Sequence, residues 1–145
     1  FRFANVYGER QGDGGEGGVI SIFTKRLAQG KGITIFGDGK QTRDFVYAGD
    51  IADGIIDALT TDAKNTAYNL STTEETSLNE LVEILSHIAG KDITPAYDKP
   101  REGDIYRSSL NNAKAICNLG WKPKVSLEEG LKRTFADFKK KIVVG

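Results

Sequence analysis

The chain of 145 residues contains no methionine, one cysteine and one histidine, and its 20 basic side chains are balanced by 20 acidic ones. Each shortage closes off a class of protein. With Cys117 alone there is no intrachain disulfide and no thiolate metal cluster, and a reducing cytoplasmic compartment fits best. A net charge of zero leaves no electrostatic footprint for nucleic acid or a membrane surface. No apolar run approaches the roughly 20 residues that span a bilayer. The lone His87 falls on a predicted helix, off its apolar stripe and outside any motif, and reads as a solvated helix residue. Cys117, on a short apolar helix, reads as buried and inert. No signal peptide is visible. The missing Met and the opening Phe1-Arg2-Phe3, a strand already under way, suggest a piece of a longer protein.

What is present is ordinary for a globular protein: 39% hydrophobic and 28% charged residues, in a chain long enough for one domain with a real core. Residues 1–7 read as a strand. Val19, Ile22, Phe23 and Leu27 have helical spacing, predicting a helix over 18–29 that ends near Gly30. Short strands are expected at 33–36, 45–47 and 67–70. A helix is expected over 50–60, with Asp50 as its N-cap. Ser77-Leu78-Asn79-Glu80 is a capping box before an apolar stripe of Leu78, Leu81, Leu85 and Ile88, and Gly90 ends that helix. Residues 93–97 form a possible strand that Pro95 confines to an edge. Asn111 can cap a short helix ending at Leu119-Gly120. Ser126-Leu127-Glu128-Glu129 is a second capping box, leading into Leu127, Leu131, Phe135 and Phe138. Strands alternate with helices, so the class is α/β. No repeat or linker divides the chain, and residues 1–145 read as a single domain.

One segment carries chemistry. In Phe36-Gly37-Asp38-Gly39-Lys40-Gln41-Thr42-Arg43-Asp44-Phe45-Val46-Tyr47, two glycines permit a tight turn and Arg43 leaves it as a planar fork suited to phosphate. Composition alone favours a plainer role, a surface ion pair of Arg43 with Asp44 or Asp38, and of Arg101 with Glu102 or Asp104. A better-known pattern is misleading. Gly12-Asp13-Gly14-Gly15-Glu16-Gly17 has the letters G-x-G-x-x-G, but Gly14 comes too far after the strand, and Asp13 and Glu16 would face a pyrophosphate with negative charge. It reads as a flexible surface loop.

Four ordered blocks resemble the extended short-chain dehydrogenases/reductases, the NAD-dependent epimerase/dehydratase family. They are Arg2-Phe3-Ala4-Asn5-Val6-Tyr7-Gly8-Glu9-Arg10-Gln11, the 35–47 segment, Pro100-Arg101-Glu102-Gly103-Asp104-Ile105 with Arg107-Ser108, and Lys114-Ala115 with Leu119-Gly120-Trp121-Lys122-Pro123. Glu9 and Asn111 depart from the family pattern, where proline and aspartate are usual. The subgroup most resembled acts on UDP-glucose as a 4-epimerase. The resemblance implies the C-terminal, substrate-binding portion of an extended Rossmann-type enzyme, without the N-terminal half that holds most of the NAD. Its alternatives are a nucleotide-sugar dehydratase or decarboxylase, or a non-catalytic sugar-nucleotide binding module.

The resemblance also implies roles. Arg43 and Arg101 would hold the diphosphate or adjacent ribose from opposite sides, and Asn5 would contact the nucleotide sugar. Ala4 would lie near the nicotinamide. The backbone amides of Gly18 and Val19, at a helix start, would meet an anionic or polar part of the ligand. Thr34, Ile35 and Phe36 would hold the uracil, and Asp104 would accept a ribose hydroxyl. Core packing remains an alternative for Ala4, Ile35 and Phe36, a strand-end turn for Asn5, and a solvated turn for Asp104. The family's Tyr-x-x-x-Lys pair is not here: four residues after Tyr7, Tyr47, Tyr68, Tyr97 and Tyr106 stand Gln11, Ile51, Thr72, Arg101 and Leu110. In the full protein the implied reaction oxidises C4 of the hexose, lets the keto sugar rotate while UDP stays anchored, and reduces the other face. The implied assembly is a homodimer, with no nucleic-acid or membrane partner.

Overall fold

The capping box at Ser77 shows how local code sets this fold. In the computed structural model, which describes residues 1–12, 18–63 and 65–144, Ser77 Oγ accepts from Glu80 N and Glu80 Oε2 accepts from Ser77 N at 2.7 Å. Helix α3 (Leu78–Ala89) starts there and stops at Gly90, whose φ of 63° is left-handed. Its stripe of Leu78, Leu81, Val82 and Leu85 is buried, each side chain contributing about 1.5–3 kcal/mol of apolar burial. Helix α1 (Val19–Ala28) and the long α5 (Leu127–Val144) complete this layer. Ile20 and Phe23 of α1 and Leu131 of α5 join the α3 stripe in one apolar cluster with Tyr7, Ile33, Ile35 and Phe45.

The second cluster gathers Val46, Ile51, Tyr68, Leu70, Ala115 and Trp121 beneath helices α2 (Ala48–Leu59) and α4 (Ala113–Leu119). Trp121, 1% exposed, donates its indole N–H to Asp50 O at 2.7 Å. Asp50 is therefore not the N-cap of α2. Tyr47 holds that position, and Asp50, 2% exposed, accepts from Val125 N at 3.1 Å. The helix begins two residues early because strand β5 runs straight into it.

The first expected strand is two, β1 (Arg2–Phe3) and β2 (Asn5–Tyr7). Ala4 N donates to Leu70 O and Asn5 N to Asp44 O, so the chain hands over from one neighbour to another at that point. β1 pairs in parallel with β6 (Asn69–Leu70), and β2 with β5 (Phe45–Tyr47). β3 (Thr34–Phe36) pairs in parallel with β8 (Ala96–Asp98), which starts just after Pro95 because proline has no N–H for the ladder. Three two-residue strands form a further sheet: β4 (Thr42–Arg43) lies between antiparallel β7 (Thr76–Ser77) and parallel β9 (Arg107–Ser108).

Three smaller expectations change. Asn112 is the N-cap of α4, though Asn111 Oδ1 accepts from Ala113 N at 2.9 Å and so serves the same helix end. The box at Ser126 is half made: Ser126 Oγ accepts from Glu129 N, while the Glu129 carboxylate turns to Arg133 at 2.8 Å. Cys117 is exposed, not buried; α4 buries Ala115, and a residue two further on points to the opposite side of a helix. The glycine-rich loop at 13–17 lies outside the described residues. Among the described residues no helix is long and apolar enough to cross a membrane.

Candidate functional site

The turn after β3 is built as its letters require. Gly37 and Gly39 have φ of 94° and 75°, a region that costs any residue with a Cβ. Asp38 Oδ1 accepts from Lys40 N at 2.9 Å and Gln41 Nε2 donates to Phe36 O at 2.6 Å, closing the turn from inside. The chain then enters β4, and Arg43 emerges from a strand paired on both sides.

Arg43 Nη1 donates to Thr42 O at 2.8 Å, and Nη2 lies 2.7 Å from Asp104 Oδ1. The ion pair expected with Asp44 or Asp38 is thus made with Asp104. Asp44 is fully buried. It accepts from Thr72 N at 2.9 Å, Thr72 Oγ1 at 2.7 Å and Thr73 N at 3.0 Å, with Ser109 Oγ at 3.5 Å. Thr73 is held at φ 66°, an unfavourable conformation for a β-branched residue. A second carboxylate works from the other direction. Glu75 accepts from Thr42 Oγ1 at 2.6 Å and Arg107 Nε at 2.7 Å, and the Arg107 guanidinium and Thr42 hydroxyl hold its carboxyl below the usual carboxylate range. Arg43 therefore stands on a strand stapled to both neighbours by buried or paired acids.

Arg101 pairs with neither Glu102 nor Asp104. Its guanidinium lies over the Phe36 ring, 4.1 Å from the centroid, a cation–π geometry. Arg101 and Asp104 share one exposed turn in which Asp104 N donates to Arg101 O at 3.2 Å. Further along, Tyr106 OH donates to Asp38 Oδ2 at 3.3 Å, and partial desolvation of this otherwise exposed hydroxyl together with the Asp38 charge pushes the phenol up.

These pieces enclose a cleft of about 180 Å³. Val19, Ile22 and Phe23 come from α1, Thr34, Ile35 and Phe36 from β3, and Leu78 from α3; Gln41, Arg43, Arg101 and Asp104 complete the lining. A neighbouring cleft of about 420 Å³ shares Phe36, Gln41, Arg101 and Asp104 and adds Gly37, Asp38, Asp98, Pro100 and Tyr106. A cavity of about 490 Å³ between the ends of α1 and α3 and the side of α5 contains none of the expected site residues.

Of the nine residues expected around the sugar nucleotide, seven line the first cleft: Val19, Thr34, Ile35, Phe36, Arg43, Arg101 and Asp104. Gly18 is the N-cap of α1 and, as a glycine, offers no side-chain cap, while Val19, the first residue of the helix, is part of the lining. Asn5 is not part of the lining; its Nδ2 donates to Asp44 O at 3.2 Å. Ala4 packs against the second apolar cluster, its N–H engaged by Leu70 O. Gln41, in the lining, and Asp44, beneath Arg43, also form the site without standing out in the sequence. Gln41 stands at a fixed offset within the glycine turn, a position only the folded turn makes meaningful. Asp44 follows an arginine and so reads as its salt-bridge partner.

A paired arginine on a braced strand and a second arginine over an aromatic ring thus line one cleft on an α/β scaffold. Residues 1–71 match the model of the NAD dependent epimerase/dehydratase family, and the chain belongs to that family. A putative UDP-glucose 4-epimerase of Methanocaldococcus jannaschii is 52% identical over 91% of this chain and 42% of its own length. The crystal structure of UDP-glucose 4-epimerase from Thermotoga maritima with UDP-glucose superposes with a TM-score of 0.93 at 45% identity, covering 97% of this chain and 45% of that one. UDP-glucuronic acid decarboxylase 1 of Arabidopsis thaliana is 32% identical over 98% of this chain and 32% of its own length. The chain spans less than half the length of the relatives it matches.

Proposed function

We propose that residues 1–145 are a single substrate-binding domain, the C-terminal part of an NAD-dependent UDP-glucose 4-epimerase-like enzyme. The observation that carries this is the convergence of seven expected residues on one cleft. Its volume, about 180 Å³, is below the roughly 300–1,000 Å³ of a pocket that encloses a drug-sized ligand. It suits one portion of a nucleotide sugar. Thr34, Ile35 and Phe36 would hold the uracil, Thr34 through strand-edge N–H and C=O groups and Phe36 as an apolar wall; Arg43 and Arg101 would take the diphosphate, and Asp104 a ribose hydroxyl. Asn5 would act from the β2 side and the first turn of α1 from the rim.

NAD, when bound, would supply the hydride acceptor at C4. Only Ala4 is assigned to it, and Ala4 offers a small side chain with its N–H already engaged. That fits a wall of a cofactor site, with the dinucleotide held by sequence outside this chain. The work of the residues described here is to hold UDP while the hexose turns. Purified residues 1–145, free of host enzyme, should show no epimerase turnover, because no tyrosine is followed by lysine at the fourth position. Measurable turnover would defeat that. The family resemblance supports a homodimer for the full protein, and the lone cysteine a cytoplasmic setting.

The decarboxylase relative supports a second reading, in which the same UDP grip serves a uronic-acid sugar. In the full-length protein Arg43→Ala should weaken UDP-sugar binding about 10- to 100-fold, from charge-assisted bonds worth about 1.5–3 kcal/mol. Calorimetric affinity equal to wild type would remove Arg43 from the site. Assaying UDP-glucose against UDP-glucuronate then separates the two readings.

A further inference from the structure

Arg43 does not meet the cleft as a free cation. Asp104, 61 positions on, holds it at 2.7 Å, and the two side chains are 16% and 38% exposed. A pair this open is worth only about 0.2–1 kcal/mol, so a better anion can replace the carboxylate. The two partners also differ in how they are held. Arg43 stands on a strand paired on both sides, whereas Asp104 rides on a turn whose residues, 101 to 105, are all exposed. Arg101 comes from the same turn, and with Phe36 and Gln41 these residues form the partition between the two clefts.

The charges point the same way. Arg43, Arg101 and Asp104 are the charged residues lining the smaller cleft, two guanidinium groups against one carboxylate. With Asp104 displaced, two positive charges face the opening, matching a diphosphate diester with one negative charge on each phosphorus. A singly charged anion would exchange one carboxylate for another and gain little.

We propose that Asp104 is an exchangeable counterion: an incoming diphosphate displaces its carboxylate from Arg43, and the 101–105 turn moves with it, joining the two clefts. This rests on the reading that Arg43 and Arg101 grip a diphosphate. Asp104 thereby imposes one cost on every anion that takes Arg43, and a doubly charged group offsets it through its second charge, at Arg101.

The test is calorimetry of the full-length protein with inorganic pyrophosphate and with acetate. Asp104→Asn keeps the shape of the side chain and removes its charge. It should tighten pyrophosphate binding about 1.4- to fivefold, the value of such a pair, and leave the ratio of pyrophosphate to acetate affinity about the same, since both anions are spared one and the same cost. Asp104→Ala should behave alike if the asparagine variant folds poorly. The gain should vanish on an Arg43→Ala background, where no masked cation remains. Loss of a merely structural contact would not tighten binding. If Arg43→Ala weakens pyrophosphate binding but both Asp104 variants leave it unchanged or weaker, the exchange is wrong and the site stands. If Arg43→Ala has no effect, the site reading fails and the exchange with it.

Discussion

Replacing Asp44 with alanine should cost the fold about 2–4 kcal/mol. The carboxylate is fully buried and receives two backbone N–H groups and the Thr72 hydroxyl at 3.0 Å or less. Hydrogen bonds to a charged group contribute about 1.5–3 kcal/mol each, and orphaned buried donors cost about 1–3 kcal/mol. Two terms reduce the sum. Removing a buried charge recovers part of its desolvation, and Thr73, freed from φ 66°, sheds roughly 1–2 kcal/mol of left-handed strain. Asp44→Asn should be nearly as harmful, because its amide nitrogen would face a donor wherever it is turned. Urea unfolding followed by circular dichroism reads the change, with Trp121, buried at 1% exposure, as a fluorescent reporter. A loss under about 1 kcal/mol at unchanged m-value would refute the claim that Asp44 braces the strand carrying Arg43.

Other outcomes follow from packing and capping. Gly54→Ala should destabilise by about 1–2 kcal/mol, since a Cβ would sit 2.7 Å from Leu70 Cδ1 and 3.0 Å from Trp121 Nε1, and overpacking outweighs the better helix propensity; a thermal melt shows it. Ser77→Ala should cost about 1 kcal/mol by loss of the cap. The Glu80 carboxyl is held below its ordinary value of 4.5 by bonds to the Ser77 backbone and side chain. Its stabilising share is therefore complete above pH 4.5 and lost as pH falls below it, so the gap between the two proteins should narrow in acid, by the share of the Ser77 Oγ–carboxylate bond. Cys117 is exposed and should react with a thiol reagent in the native protein nearly as fast as in urea; slow native labelling would place it under cover.

Legibility in the sequence tracked the range of the interaction. Helix α3 could be read almost residue by residue, because its cap, stripe and stop lie within fourteen positions, from Ser77 to Gly90. The turn from Phe36 to Arg43 was equally readable, since its glycines answer a local backbone need. The three-strand sheet around Arg43 was not. Strands of two residues carry no periodicity, and β4, β7 and β9 are brought together by distant acids as well as by their own ladders. Asp50 failed for a related reason. An acid before an apolar stripe reads as a cap, and only the tertiary partner Val125 shows that it was drawn inside. The expected cleft residues came together because the resemblance supplied long-range information that pattern alone lacks. Asn5 fell away from the lining because strand pairing claimed its side chain.

The 61-residue gap between Arg43 and Asp104 also sets an order in time. At the roughly 5–20 residues per second of synthesis, Arg43 leaves the ribosome about 3–12 s before the turn that will neutralise it. β7 follows at Thr76 and β9 only at Arg107. The cleft thus cannot form until the nascent chain has passed β9, and any stalled or cleaved product ending before residue 107 carries an arginine with no cleft around it. Ligand capture therefore tests whether synthesis has passed that strand.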